Sequence, residues 1–204
     1  MKNMQLWQEV CVTNPSAVKA ITGKPYKGNS PKPYWLIQRA TEVFGPVGLG
    51  WGVTVKSERF ERLTEHDVLH VAVVSIWYVL HGVRSDSFDQ MGGTKAAYMS
   101  KNGMVVDEDA GKKSVTDAMV KCLSMIGFAG DIFSGMWDDS KYVDWAGNHY
   151  ALMDYIKAIE TAPDVASLKN HFAAAWKMAN DESRPDLKAA YDARTHQLTQ
   201  KVPA

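Results

Sequence analysis

Cysteine is scarce in this sequence of 204 residues, which contains only Cys11 and Cys122. Two cysteines give neither a disulfide framework nor the ligand spacing of a zinc site. Long apolar runs are also missing, because the longest candidate, Val68 to Leu80, is interrupted by polar residues and is shorter than the ~20 residues that span a bilayer. The first residues, MKNMQLWQEV, lack the apolar core of a signal peptide. We therefore expect a cytoplasmic protein with no membrane partner.

An excess of either charge is missing as well, since 23 Lys and Arg residues balance 23 Asp and Glu residues. Taken alone, a net charge of zero argues against nucleic-acid binding. The charges are unevenly distributed, however. Residues 1–56 carry seven basic and two acidic side chains, residues 57–144 carry nine and fourteen, and the remainder carries seven of each. A basic surface supplied by the N-terminal segment is therefore compatible with the neutral total.

The hydrophobic pattern predicts an α+β fold. A loop rich in Pro, Gly, Asn and Ser over residues 14–33 precedes a helix over 34–44. The chain then becomes rich in β-branched and aromatic residues, and the simplest interpretation is a three-stranded antiparallel β-meander. Its predicted strands cover residues 51–56, 68–80 and 83–90. Gly92-Gly93 is expected to end the sheet.

The clearest predicted helix follows the sheet and begins near Lys112. Its buried stripe repeats at helical spacing. The stripe consists of Val115, Met119, Cys122, Leu123 and Ile126. After a predicted hinge at 145–148, three further helices are expected. They cover residues 150–161, 165–180 and 184–201, so the chain is predicted to contain a main domain, 1–145, and a small helical domain, 149–204.

The familiar nucleotide-binding and catalytic motifs fit poorly. Gly111–Ser114 (GKKS) is similar to the end of a phosphate loop, but the residues before it are acidic and would repel a triphosphate. Gly48–Gly52 (GLGWG) follows a helix and precedes a strand, which is the wrong order for a dinucleotide-binding turn. Cys122 lies on a buried stripe, which makes a nucleophilic role improbable. We therefore predict neither an enzyme nor a bound cofactor.

The histidines and acidic runs offer little for a metal ion. His66 and His70 fall at the start of a strand, where residues four apart are separated by about 13 Å and cannot share a metal. The acidic runs at 107–109 and 138–139 could attract magnesium, but a helix cap or a solvated turn is the favoured interpretation. A metal-dependent nuclease is therefore a distant third hypothesis.

Basic side chains on the clearest helix could instead contact DNA. Lys112, Lys113, Thr116 and Lys121 can present charge and a hydroxyl group to phosphates. The lysines and aromatic residues of 19–35 could add further charge and base stacking. A basic helical face is more often a solvated surface, so this pattern alone leaves both alternatives open.

The segment from 111 to 143, GKKSVTDAMVKCLSMIGFAGDIFSGMWDDSKYV, contains a recognisable order of short motifs. Val115-Thr116-Asp117 is followed by Lys121 and by Ile126-Gly127, and the segment closes near Tyr142. In this order the residues resemble the lysine-bearing helix of the Rad-fifty-two family of single-strand annealing proteins. That family includes the phage recombination proteins of the Erf and Sak type.

A second segment also resembles this family. ATEVFGPVGLGW, over residues 40–51, is similar to the family's turn from the first helix to the first strand. The predicted order of helix, β-meander and helix agrees as well. The resemblance covers roughly residues 12–143.

The resemblance implies a function in homologous recombination and double-strand break repair. The protein would bind single-stranded DNA and anneal complementary strands without ATP or another cofactor, as a homo-oligomeric ring encoded by a phage. Candidate partners are single-stranded DNA, other copies of the chain, and a host single-strand-binding protein or a phage exonuclease. A non-annealing single-stranded DNA-binding or replication accessory protein of the same fold is the alternative.

The resemblance also assigns candidate DNA contacts. In the family a deep groove holds the strand with its bases outward, and the matching residues here are Lys112, Thr116 and Lys121, with Lys113 beside them. Lys101 is the counterpart of a lysine in an outer site.

Three positions depart from the family pattern. Cys122 replaces the second residue of a basic pair, and the family's first-helix arginine and tyrosine fall near Trp35 and Pro46. We therefore predict that other residues near the N-terminus take part in DNA binding. They are Lys24, Lys27, Lys32, Trp35 and Arg39.

Overall fold

The computed structural model describes residues 2–23 and 25–200. The chain divides into two compact units, Met1–Asp138 and Asp139–Ala204. The first combines a curled antiparallel sheet with helices and the second is helical, which confirms the α+β prediction. The predicted hinge at 145–148 is wrong, because these residues lie within one continuous helix, Ser140–Glu160.

Short elements form the N-terminal part of the first unit. Helix α1 (Gln5–Val10) is followed by a two-stranded antiparallel hairpin of β1 (Val18–Ala20) and β2 (Asn29–Pro31). Helix α2 (Pro33–Phe44) begins with a proline, whose missing N–H is not needed there, and ends at Gly45 with a φ of 97°. This helix confirms the prediction for residues 34–44.

A five-stranded antiparallel sheet forms the body of the first unit. The order is β3-β4-β6-β7, and a short strand, β5, pairs with the end of β4. The strands are β3 (Trp51–Arg62), β4 (Val68–Leu80), β5 (Val83–Arg84), β6 (Phe88–Ser100) and β7 (Gly103–Val106).

The sheet extends further than the sequence predicted. Strand β6 continues through Gly92-Gly93 to Ser100 and then pairs with β7, so the expected end of the sheet at the two glycines is wrong. The predicted three-stranded meander accordingly gains a fourth strand, and its third strand is divided between β5 and β6. A glycine inside a strand can also mark the close approach of another backbone.

Helix α3 (Ala110–Met125) makes that approach. A Cβ atom at Gly92 would overlap the carbonyl oxygen of Ser114 and lie 2.5 Å from the backbone nitrogen of Ala118. The buried hydroxyl of Ser114 donates a hydrogen bond to the carbonyl of His70, at 3.0 Å. Helix α3 is therefore fixed directly on β4 and β6.

The buried face of α3 agrees in large part with the predicted stripe. Met119, Cys122 and Leu123 are buried, and so are the smaller Ser114 and Ala118. Burial raises the pKa of the Cys122 thiol to about 11, so the thiol stays protonated at neutral pH. A thiol in this form is a poor nucleophile.

After a left-handed residue at Ala129, with a φ of 53°, the chain forms the short helix α4 (Gly130–Phe133). The second unit consists of α5 (Ser140–Glu160), α6 (Val165–Met178) and α7 (Arg184–Gln200). The three predicted C-terminal helices are confirmed, although the first begins at Ser140. Their common core includes Ile159, Leu168, Ala175 and Leu187.

None of the helices within residues 2–23 and 25–200 has both the length and the apolar character needed to cross a membrane.

Replacement of Gly92 by alanine tests the close contact between α3 and the sheet. The added methyl group would force the helix away from β6, and we expect a loss of about 1–3 kcal/mol in the free energy of unfolding. Gly93→Ala is the matched control, because its Cβ would lie 3.7 Å from the nearest atom, the carbonyl oxygen of His70. Urea denaturation measures both. Equal stability of the two variants would contradict the proposed contact.

Candidate nucleic-acid interface

A cleft of about 740 Å³ lies between the β1–β2 hairpin and the first half of α3. Lys19 lines it from β1, while Lys112, Lys113 and Thr116 line it from α3. The fold therefore brings basic side chains together from two segments that are far apart in sequence. Lys19 belongs to the predicted lysine-rich stretch of 19–35, but it was not named individually as a contact.

The rest of the lining combines apolar side chains with polar ones, among them the carboxylates of Asp109 and Asp117. Tyr26 comes from the hairpin loop and Phe133 from α4, and their exposed fractions are 58% and 52%. The sequence analysis noted aromatic residues among the N-terminal lysines but gave no role to Phe133. Its position near the cleft depends on contacts between distant segments.

The buried carboxylate of Asp131 supplies such a contact. It accepts hydrogen bonds from the backbone N–H of Thr13 at 2.7 Å, from the hydroxyl of Thr13 at 2.6 Å and from the indole N–H of Trp137 at 2.8 Å. The N–H of Asp131 donates to the carbonyl of Cys11, at 3.1 Å. Several donors around one buried carboxylate compensate for its loss of hydration.

This network positions two walls of the cleft at once. Thr13 precedes the hairpin that carries Lys19 and Tyr26, and Asp131 lies in the same short helix as Phe133. The segment that leads into the hairpin and helix α4 are thus tied to one buried group. Asp131 is the positioning residue that the sequence analysis missed.

The lysines at the start of α3 are paired with carboxylates. Lys112 lies 2.9 Å from Asp109, and Lys113 lies 2.6 Å from Asp107. The hydrogen bond from Lys113 lowers the pKa of Asp107, and the same bond raises the pKa of Lys113, so both groups are charged at neutral pH. Because both pairs are solvent-exposed, water and salt screen them, and a phosphate can replace the carboxylate.

The acidic run at 107–109 therefore provides ion-pair partners for the helix. Within residues 2–23 and 25–200, no group of three or more His, Cys, Asp or Glu side chains could hold a metal ion. His70 is buried, with its ring packed edge-on against Phe60 at 4.7 Å, and its Nε2 lies 3.8 Å from the carboxylate of Glu58.

Lys121 does not line the cleft. Its ammonium group donates to the carboxylate of Asp117 at 2.9 Å and to the carbonyl of Met91 at 3.2 Å. Asp117 in turn accepts a hydrogen bond from the N–H of Gly93, at 3.2 Å. Asp117 and Lys121 thus both bind backbone groups of β6.

Two of the predicted N-terminal contacts are engaged elsewhere. Lys32 donates to the carbonyl of Ser16, at 2.8 Å. Arg39 donates to the carbonyl of Glu9 at 3.1 Å and to the carboxylate of Glu42 at 3.0 Å. Neither basic residue lines the cleft.

Three of the other predicted contacts do not line the cleft either. Trp35 lines a smaller pocket on α2, and Lys101 is exposed in the turn between β6 and β7. Lys27 is exposed in the hairpin loop but does not line the cleft. Lys24 lies outside the described residues.

Comparison with known proteins finds no family model that matches the chain, and no curated protein matches it. The resemblance to single-strand annealing proteins therefore stays a prediction from short motifs. Support for a function comes from the cleft and its charges.

Substitution of Asp131 by asparagine tests the network that positions the cleft. An amide cannot accept all the hydrogen bonds that reach the carboxylate, and its NH₂ group would face other donors. We expect a loss of about 1–3 kcal/mol in the free energy of unfolding, measured by urea denaturation. Asp138→Asn, at an exposed position nearby, is the control. If both variants are as stable as the parent protein, the network does not hold the segments together.

Proposed function

We propose that this protein binds single-stranded DNA in the cleft and anneals complementary strands without nucleotide energy. The observation that carries this proposal is the meeting of Lys19, Lys112 and Lys113 in one open cleft. Their ammonium groups can pair with successive phosphates of a flexible strand, and Thr116 adds a hydroxyl group. We place the function in homologous recombination and break repair, in a protein of phage origin.

Annealing requires little chemistry from the protein. Two complementary strands repel each other through their phosphates, and lysine side chains reduce this repulsion. Base pairing itself is downhill, since stacking in duplex DNA contributes about 1.4 kcal/mol for each base-pair step. The carboxylate partners of Lys112 and Lys113 compete with the phosphates, which keeps the binding weak enough for strands to realign and leave.

The proposal includes a homo-oligomeric ring. Strand β3 lies at one end of the sheet order and β7 at the other, so each has one edge with no partner strand among the described residues. Pairing between copies would repeat the cleft along one DNA strand. Repetition compensates for the small positive charge of a single cleft and reconciles DNA binding with a net charge of zero.

The double substitution Lys112→Ala with Lys113→Ala tests the cleft. We expect the affinity for a single-stranded oligonucleotide to fall about tenfold or more at low salt, which corresponds to at least about 1.4 kcal/mol. The slope of log affinity against log salt should fall by roughly 0.7 for each phosphate that the variant no longer neutralises. Fluorescence anisotropy across a salt series measures both quantities.

Lys188→Ala is the matched control for this test, because Lys188 is also an exposed helical lysine paired with a carboxylate, that of Asp192. Annealing of two labelled complementary strands without ATP should slow in the double variant and not in the control. Unchanged binding by the double variant would remove the cleft from the site. Binding without any acceleration of annealing would favour a non-annealing accessory protein.

The ring makes a separate prediction. We expect the purified protein to form a discrete multiple of its 22.7 kDa chain mass, with single-stranded DNA shifting the population toward the closed assembly. Native mass spectrometry, with and without an oligonucleotide, measures this. A monomer under both conditions at micromolar concentration would contradict the ring.

A further inference from the structure

The aromatic wall of the cleft has no role in phosphate binding. Phosphate contacts need only exposed lysines, whereas this cleft also contains the exposed rings of Tyr26 and Phe133. Ile21 and Val120 add further apolar surface beside them. Side chains of this type gain free energy when a flat, apolar surface covers them.

The volume of the cleft also exceeds what a phosphate needs. Pockets that enclose small organic ligands measure roughly 300–1,000 Å³, and this cleft of about 740 Å³ lies within that range. A nucleotide combines a flat aromatic base with the negative charge of its phosphate. The cleft places aromatic rings and Lys112 and Lys113 around one space.

We infer that the cleft takes an unpaired base of the bound strand, stacked on Tyr26 or Phe133 while Lys112 and Lys113 hold the adjoining phosphates. This inference rests on the proposed function, which supplies single-stranded DNA as the ligand. It differs from the arrangement expected from the family resemblance, in which the backbone fills the groove and all bases point outward. Here one base per subunit turns inward.

Stacking of this kind would favour single strands over duplex DNA. A base within a duplex is covered on both faces by its neighbours, so it reaches an aromatic side chain only after it leaves the stack. An unpaired base is available at once. The stacked base is held by its face, and this contact itself occupies none of the groups that form a base pair.

The position of Phe133 suits this task. Its helix, α4, is held by the hydrogen bonds between Asp131 and the segment at Thr13. The ring is therefore presented from a fixed support, and Tyr26 faces the same cleft from the hairpin loop. A rigid ring loses little conformational entropy when a base covers it.

The test compares two oligonucleotides of equal length: one of thymidylates, and one of abasic deoxyribose phosphates, which has the same charge but no bases. We expect the parent protein to bind the thymidylate oligonucleotide more tightly. The double variant Tyr26→Ala with Phe133→Ala should lose about tenfold or more of that affinity, because a base stacked on an aromatic ring contributes strongly to binding. Its affinity for the abasic oligonucleotide should change less than about twofold.

Trp145→Ala is the matched control, since Trp145 is 45% exposed on α5 and does not line the cleft. The conservative pair Tyr26→Phe with Phe133→Tyr retains both rings and should retain the affinity for thymidylates. The inference is supported if the alanine variant loses affinity for thymidylates and the conservative pair retains it. Thermal unfolding checks that each variant is folded.

Equal affinity of the parent protein for the two oligonucleotides would overturn base stacking and leave the proposed function standing. An equal loss for both oligonucleotides in the alanine variant would also overturn it. If the parent protein binds neither oligonucleotide, the proposed function itself fails.

Discussion

The close contact between helix α3 and strand β6 determines where the lysine-bearing surface lies. Gly92 has no side chain, and Ser114 and Ala118 opposite it are small, so the backbones of the helix and the strand approach each other directly. With that face of α3 buried, Lys112 and Lys113 are directed to the side of the β1–β2 hairpin. The apolar core and the charged cleft thus depend on the same few small residues.

The sequence predicted the elements whose hydrophobic pattern is long and regular. Helices α2 and α3, strand β4 and the C-terminal helices follow from periodicity. The Gly92-Gly93 pair was wrongly interpreted as a break, because local sequence does not show that a helix packs on this strand. Residues 145–148 contain one glycine, which costs a helix only about 1 kcal/mol, and the packing of the same helix on α6 and α7 outweighs that cost.

The candidate site could be predicted only where its residues lie on one element. Lys112, Lys113 and Thr116 were identified because helical spacing places them near one another. Lys121 shares the motif, but its ammonium group binds the carbonyl of Met91, a residue on a strand whose position the motif does not reveal. The hydrogen bonds between Thr13 and Asp131 join residues 118 apart in sequence, and no local pattern indicates such a pair.

Strands β3 and β7 are the two ends of the sheet order, while Asp117 and Lys121 bind backbone groups of β6. These two strands differ in length and sequence. A contact between β3 of one copy and β7 of the next would therefore be head-to-tail and not two-fold symmetric. Every subunit in such an assembly would have the same orientation as its neighbours. A DNA strand also has a direction, from 5′ to 3′. Each subunit of such an assembly would bind the strand with the same 5′-to-3′ orientation.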